Sequence, residues 1–140
     1  IYGYDINYNE EFLNEHNVKK ATITEILKTC DFISIHMPLT DETHHMFDRN
    51  LLEKAKANLV IINTARGGIV DEEALYDLIK DGKIYGAGID AFEQEPARDS
   101  KLLTLDNVIV GSHTAASSIG ATEQMTMMAA QNIIKDLGVN

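Results

Sequence analysis

Three residues in this sequence have side chains suited to acid–base work on a small anion: Arg66, Glu95 and His113. A guanidinium is planar and permanently charged, which suits a two-point grip on a carboxylate. Gly67-Gly68 follows Arg66, so the backbone can turn tightly and leave that side chain uncrowded. A carboxylate beside an imidazole favours the charged ring and brings it toward the range useful for proton transfer. It also fixes the tautomer, leaving the far ring nitrogen for a substrate oxygen. Glu95 and His113 would form such a pair if the fold brings them together; an ion-pairing arginine and a satisfied structural histidine are the competing readings.

His36, His44 and His45 raise the question of a metal. They lack a coherent ligand spacing, and no cysteine or acidic pair nearby completes a set, so no metal is expected. His44 and His45 follow Pro38 and are expected to face solvent.

The elements that must position these residues are short apolar runs alternating with helical stretches. Runs at 1–4, 32–35, 59–62, 84–89 and 108–110 are near-continuously apolar, as strands covered on both faces should be. Helix signals fill the gaps. Asn9 precedes Glu10-Glu11-Phe12-Leu13, Thr22 and Glu25 have capping-box spacing, and Asp48 and Asp71 stand before Leu51-Leu52 and Glu72-Glu73. A last, long helix starts near Ser117 or Ser118, with Ala121, Met125, Met128, Ala129 and Ile133 on one side as a core or interface face. Strand–helix alternation at this spacing means parallel βαβ units and an α/β fold with a doubly wound parallel sheet.

Such sheets bind ligands outside the carboxyl ends of their strands. Polar residues stand at those ends: Asp5, His36, the Asn63-Thr64-Ala65-Arg66 segment, Asp90 with Glu95 beyond it, and Ser112-His113. Asp5 closes an early strand, where nucleotide-binding folds place an acid for the adenosine ribose. No Arg or Lys lies in Ile6-Asn7-Tyr8-Asn9 to accept a 2′-phosphate, so NAD is favoured over NADP; a turn aspartate is the competing reading.

The net charge of −10 over 140 residues argues against nucleic acid and anionic membranes as partners, but not against a small anion held by a few local donors. The longest aliphatic run, Leu59-Val60-Ile61-Ile62, is too short to span a bilayer. No basic-then-apolar leader opens the sequence, and the lone Cys30, expected to be buried and inert, fits a reducing compartment; a cytoplasmic location is expected.

Three blocks in order carry a resemblance. The string from Asn63 through Thr64-Ala65-Arg66-Gly67-Gly68 to Leu75 is similar to a signature of the D-isomer-specific 2-hydroxyacid dehydrogenases, and so is Gly86 through Asp90 to Glu95-Pro96. The third block runs from Leu102 to Val110 and ends in His113. The resemblance covers essentially the whole chain and looks nearest to phosphoglycerate-dehydrogenase-like members. It implies a Rossmann-like NAD-binding domain and hydride transfer between NAD and C2 of a D-2-hydroxy or 2-oxo acid, 3-phosphoglycerate among the candidates. It implies that Arg66 binds the substrate carboxylate, while Glu95 orients His113, which exchanges the hydroxyl proton. It further implies that Asp5 holds the adenine ribose, that Met37 and Pro38 line the adenosine side, and that Asp90 receives the nicotinamide carboxamide. Thr64, Ala65, Arg66, His113, Ala115 and Ala116 would line the nicotinamide side. A homodimer through this domain is implied as well.

Two departures stand out. The family usually has proline before the catalytic histidine, and this chain has Ser112; the Thr114-Ala115-Ala116-Ser117-Ser118 tract also departs from the commonest version. No G-x-G-x-x-G precedes Asp5, although the resemblance would put that loop about twenty residues upstream. Residues 1–140 therefore read as a partial dinucleotide-binding domain lacking the first strand and glycine-rich loop, with the substrate domain absent, and the isolated chain is expected to be inactive. In a strand order of 3-2-1-4-5-6, the runs led by Ile1 and Phe32 would be parted from those led by Leu59, Ile84 and Val108. Two other classes compete: an NAD-linked, corepressor-type binding scaffold without turnover, and a flavodoxin-like or phospho-receiver domain, whose receiver scheme Arg66 and His113 at strand ends do not fit.

Overall fold

Capping residues fall where local sequence puts them. In the computed structural model, which describes residues 1–138, Asn9 heads α1 (Glu10–Glu15) and accepts the Phe12 amide at 3.1 Å. Thr22 and Glu25 close a capping box on α2 (Ile23–Thr29): the Glu25 amide donates to Thr22 Oγ1 at 3.2 Å and the Thr22 amide to Glu25 Oε2 at 2.8 Å. Each bond satisfies an amide that the first helical turn leaves without a partner. Asp48, Asp71 and Ser118 do the same for α3 (Arg49–Leu52), α4 (Glu72–Lys80) and α5 (Ile119–Leu137).

The strands form two parallel groups. β1 (Tyr2–Gly3) pairs with β2 (Lys19–Lys20), and β3 (Phe32–Ile35), β4 (Val60–Asn63), β5 (Gly86–Ile89) and β6 (Val108–Val110) lie side by side in chain order. The break between groups differs from the sequence expectation. Phe32 pairs with Val60 and Ile35 with Asn63, so β3 belongs with the later strands and not with β1. The partner of β1 is a pair of lysines, which carries no apolar run and so gave no periodic signal.

Register explains which side of the larger sheet is buried. The row Ile33–Ile61–Ala87–Val108 and the row Ile35–Asn63–Ile89–Val110 share one face, because in-register neighbours point the same way. That face packs with Leu75, Leu78 and Ile79 of α4, and with Leu27, Leu52, Leu59, Ile69 and Ile84, into one core. Right-handed crossovers that always step in the same direction place their helices on the same side. The other face carries Phe32, 67% exposed, and Ile109, 79% exposed. The apolar runs were expected to be covered twice; among the described residues they are covered once. An apolar run records what a strand can bury, not what stands against it.

The long α5 has no buried residue, and Met125, Met128 and Ile133, expected on a core or interface face, are exposed. None of the described helices is long and apolar enough to cross a membrane.

Candidate active site

The carboxyl end of β4 begins with Asn63, which the sequence reading placed in the polar strand-end segment without a role of its own. Asn63 lies on the buried face, 2% exposed, in line with Ile61. A buried amide is costly unless both of its ends are bonded. Its Nδ2 donates to the Arg66 carbonyl at 2.9 Å, and its Oδ1 accepts the Ala65 amide at 3.1 Å, folding the Thr64–Arg66 turn around one side chain. The Asn63 carbonyl also accepts the Asp90 amide at 3.0 Å, tying the ends of β4 and β5 together. The available signal was period-two alternation, which puts a polar residue at 63 on the same side as Ile61.

The turn then lies against β5's exit. A Cβ at Gly67 would overlap the carbonyl of Phe92 and crowd the Glu93 amide, so only glycine permits this approach. Arg66 is thereby presented at the surface, its Nη1 donating to the Ala65 carbonyl at 2.6 Å.

Beyond β5, the Phe92 amide donates to Glu95 Oε1 at 3.1 Å. The same carboxylate meets His113 Nδ1 at 2.9 Å from Oε1 and 3.1 Å from Oε2. The Phe92 amide first, then the His113 bond, with the Arg66 charge assisting, hold the Glu95 carboxyl below the usual glutamate range. An ionised carboxylate only accepts, so Nδ1 carries the hydrogen and Nε2 is the nitrogen left for a ligand. Both side chains remain open to solvent, His113 at 38% and Glu95 at 43% exposure.

His113 is held in left-handed backbone, φ 52°. Outside glycine that conformation is uncommon and needs support from its surroundings. Asp90 Oδ1 supplies it by accepting the His113 amide at 2.9 Å. Gly111 makes that reach possible, since a Cβ there would overlap Asp90 Oδ1. Ser112, where the family pattern usually has proline, shares a hydroxyl–hydroxyl bond of 2.8 Å with Thr114 across the histidine. Ala115 and Ala116 follow in an exposed 3-10 turn (Ala115–Ser117).

The residues expected on the adenosine side are wired differently. Asp5 is exposed and its Oδ1 accepts the Asn7 amide at 2.9 Å, an Asx turn. Met37 is half-buried against the core, and the Pro38 carbonyl accepts Thr43 Oγ1 at 2.7 Å. Thr64 is exposed and Ala65 half-buried. Cys30, expected to be buried, is half-buried at the core's margin.

Two histidines outside the site have side-chain partners. His36 Nε2 meets Ser34 Oγ at 2.7 Å. His44 is exposed as expected, but His45 is half-buried and bonds Glu93 Oε1 at 3.0 Å, a correction that sequence could not supply because the partner lies 48 positions away. Among the described residues, no three His, Cys, Asp or Glu side chains group as a metal site.

Known proteins share this arrangement of strands and blocks. The family model for the D-isomer specific 2-hydroxyacid dehydrogenase NAD binding domain matches residues 1–115. The chain is 42% identical over 135 residues to a glyoxylate reductase of Korarchaeum cryptofilum, covering 96% of this chain and 41% of that protein. It is 43% identical over 138 residues to a D-3-phosphoglycerate dehydrogenase of Methanocaldococcus jannaschii, covering 98% of this chain and 26% of that one. Among solved structures, a D-lactate dehydrogenase of Aquifex aeolicus, complexed with NAD and lactic acid, superposes with a TM-score of 0.83 at 32% identity, over 96% of this chain and 46% of that chain. The chain thus spans less than half the length of these relatives, between 26% and 46%. The α/β architecture is Rossmann-like, and the chain belongs to the NAD-binding domain family of the D-isomer-specific 2-hydroxyacid dehydrogenases.

Proposed function

We propose that the protein carrying this chain is an NAD-dependent D-2-hydroxyacid dehydrogenase acting on a small 2-oxo or 2-hydroxy acid, of the size of glyoxylate or 3-phosphoglycerate. The observation that carries this reading is the Glu95–His113 pair at the strand-end edge, with Arg66 close enough for its charge to act on Glu95. The donor set fits a dinucleotide bound across that edge. Asp90 would meet the nicotinamide carboxamide, with Thr64, Ala65, Ala115 and Ala116 as neighbouring wall. Asp5 would hold the ribose, and Met37 and Pro38 would line the adenosine side.

NAD, when bound, supplies or takes the hydride at the substrate's C2. Arg66 grips the substrate carboxylate in two places and so orients C2. In reduction, protonated His113 gives the Nε2 proton to the carbonyl oxygen, which becomes the hydroxyl of the product; in oxidation the neutral ring takes it back. Glu95, ionised, keeps Nδ1–H in place and stabilises the charged ring. No metal is required in this scheme.

We place the protein in the cytoplasm as a homodimer that binds neither nucleic acid nor membrane. The single cysteine, the net charge of −10 and the exposed apolar side chains of α5 support that reading. Residues 1–140 would act as the cofactor-binding part of the molecule, with the substrate side shaped elsewhere in the protein.

The test is a steady-state assay of the full-length protein with glyoxylate, hydroxypyruvate and 3-phosphoglycerate, using NADH or NAD as the direction demands. Turnover that depends on Arg66, with KM for the acid rising in Arg66→Lys, is expected. No turnover of any 2-oxo or 2-hydroxy acid by a protein that binds NADH would favour a cofactor-linked scaffold instead.

A further inference from the structure

Glu93 is two residues from Glu95 and belongs to none of the roles above, yet it is tied on every side. Its Oε1 accepts from His45 Nε2 at 3.0 Å and from the Glu72 amide, in the first turn of α4, at 3.2 Å. Its own amide donates to Glu72 Oε1 at 2.6 Å. Residue 93 is thus bonded through both backbone and side chain to the head of α4.

His45 reaches Glu93 from a segment that is itself fastened. The His45 amide donates to the Gly68 carbonyl at 2.7 Å, the Phe47 amide to the Ile69 carbonyl at 3.1 Å, and the Asp71 amide to the Phe47 carbonyl at 3.2 Å. The clamp joins three parts of the chain: the 45–47 segment, the exit of the Arg66 loop, and the turn that carries Glu95. Gly67 rests on the Phe92–Glu93 peptide, so one anchor supports both Arg66 and Glu95.

The arrangement has an electrostatic cost. Burial pushes the Glu72 carboxyl up, the hydrogen bond from the Glu93 amide draws it part of the way back, and the neighbouring Glu93 charge raises it again. A second carboxylate beside a half-buried one is poor packing chemistry, and the α4 amide and the His45 ring offset it. What the carboxylate provides is an acceptor that can hold two donors from different segments at once.

We propose that Glu93, held by His45 and the head of α4, is a positioning residue that sets the Glu95 carboxylate against His113. This inference rests on the proposed dehydrogenase reading for its kinetic arm only. Glu93→Ala in the full-length protein frees the 92–95 turn, and Glu93→Gln keeps an oxygen for the Glu72 amide and for a His45 N–H. The expected result for Glu93→Ala is a kcat lower by about tenfold or more, within the roughly 10²-fold that a 1 Å misplacement can cost, with NADH affinity changed by less than about threefold. Glu93→Gln returns kcat to within about threefold of the parent. His45→Ala, which leaves the turn's own residues intact, gives a smaller loss in the same direction.

The second readout is the proton NMR signal of the His113 Nδ1–H, which depends on the Glu95 contact and not on turnover. It broadens or disappears in Glu93→Ala, persists in Glu93→Gln, and is assigned by its loss in Glu95→Ala, which removes the acceptor oxygens. If Glu93→Ala does not fold, His45→Ala decides by the same signal. An unchanged His113 signal in a folded Glu93→Ala or His45→Ala protein overturns the proposal, whatever the activity. Loss of the signal in a protein without dehydrogenase turnover supports the clamp while removing the catalytic reading it was placed in.

Discussion

Arg66, Glu95 and His113 sit in loops bonded to one another, whereas Asp5, Met37 and Pro38 sit in segments bonded to themselves. On the catalytic side, Asn63 spans the Arg66 turn, Gly67 seats it on Phe92, and Asp90 receives the His113 amide. On the proposed adenosine side, Asp5 closes its own Asx turn and Pro38 bonds within its own loop. The first arrangement holds its side chains relative to each other before any ligand arrives. The second holds each residue locally and leaves their mutual geometry to the ligand and to whatever else contacts it. Reaction chemistry needs atoms placed to fractions of an ångström, while a ribose hydroxyl can be met by a carboxylate with some latitude.

The largest effect that would sharpen this contrast is at His113, the proposed proton-transfer residue. His113→Asn in the full-length protein should lower kcat by about 10²–10⁴-fold while leaving NADH affinity nearly unchanged, measured by turnover and by fluorescence titration. Near-normal turnover would remove His113 from the chemistry and with it the reason for the tight wiring.

Next is Asn63. Asn63→Ala leaves the Arg66 carbonyl and the Ala65 amide without their partner, and should destabilise the fold by about 1–3 kcal/mol in chemical denaturation. It should also raise KM for the acid, because the Arg66 turn loosens. Loss of stability with unchanged KM would mean the turn keeps its shape without the amide.

A smaller effect tests the Glu95 wiring by pH. Its folded pKa is depressed, so the carboxylate contributes stability that is fully present above the unfolded value and lost as pH falls through the folded one. A carboxyl NMR titration should place the Glu95 midpoint below the ordinary glutamate range, and His113→Asn should move it upward but not fully back, since the Phe92 amide, the leading cause, remains. No movement would show that the imidazole contributes nothing to holding the charge.

The smallest effect belongs to the proposed adenosine side. Asp5→Ala should weaken NAD binding by a few-fold, on the order of 1 kcal/mol for one hydrogen-bonded contact, and narrow the preference over NADP. Calorimetric titration with both cofactors checks it. An unchanged preference would leave Asp5 as the turn residue its bond to Asn7 makes it.

Comparing sequence with structure separates by distance along the chain. Every helix cap expected from sequence is formed, because those bonds join residues three positions apart and depend on side-chain type alone. The polar strand ends were also legible, since apolar runs stop where a buried strand must. The two-lysine strand β2 was not, because its pairing is made by backbone and leaves no mark in side-chain hydropathy. The placement of β3 went with it: without β2, nothing in the sequence said that β1 already had a neighbour.

By itself, the sequence determined the helix starts, the chemistry at the strand ends and the family, through blocks whose residue types and order are specific. Only the tertiary structure decided that Glu95 meets His113 across 18 positions and that Glu93 meets His45 across 48. It alone made Asn63 the brace of the Arg66 turn, and left one face of the sheet open. The physical reason is that local bonds form wherever the right neighbours follow one another, whereas a contact between distant side chains exists only after strand order and register have brought their loops to the same edge.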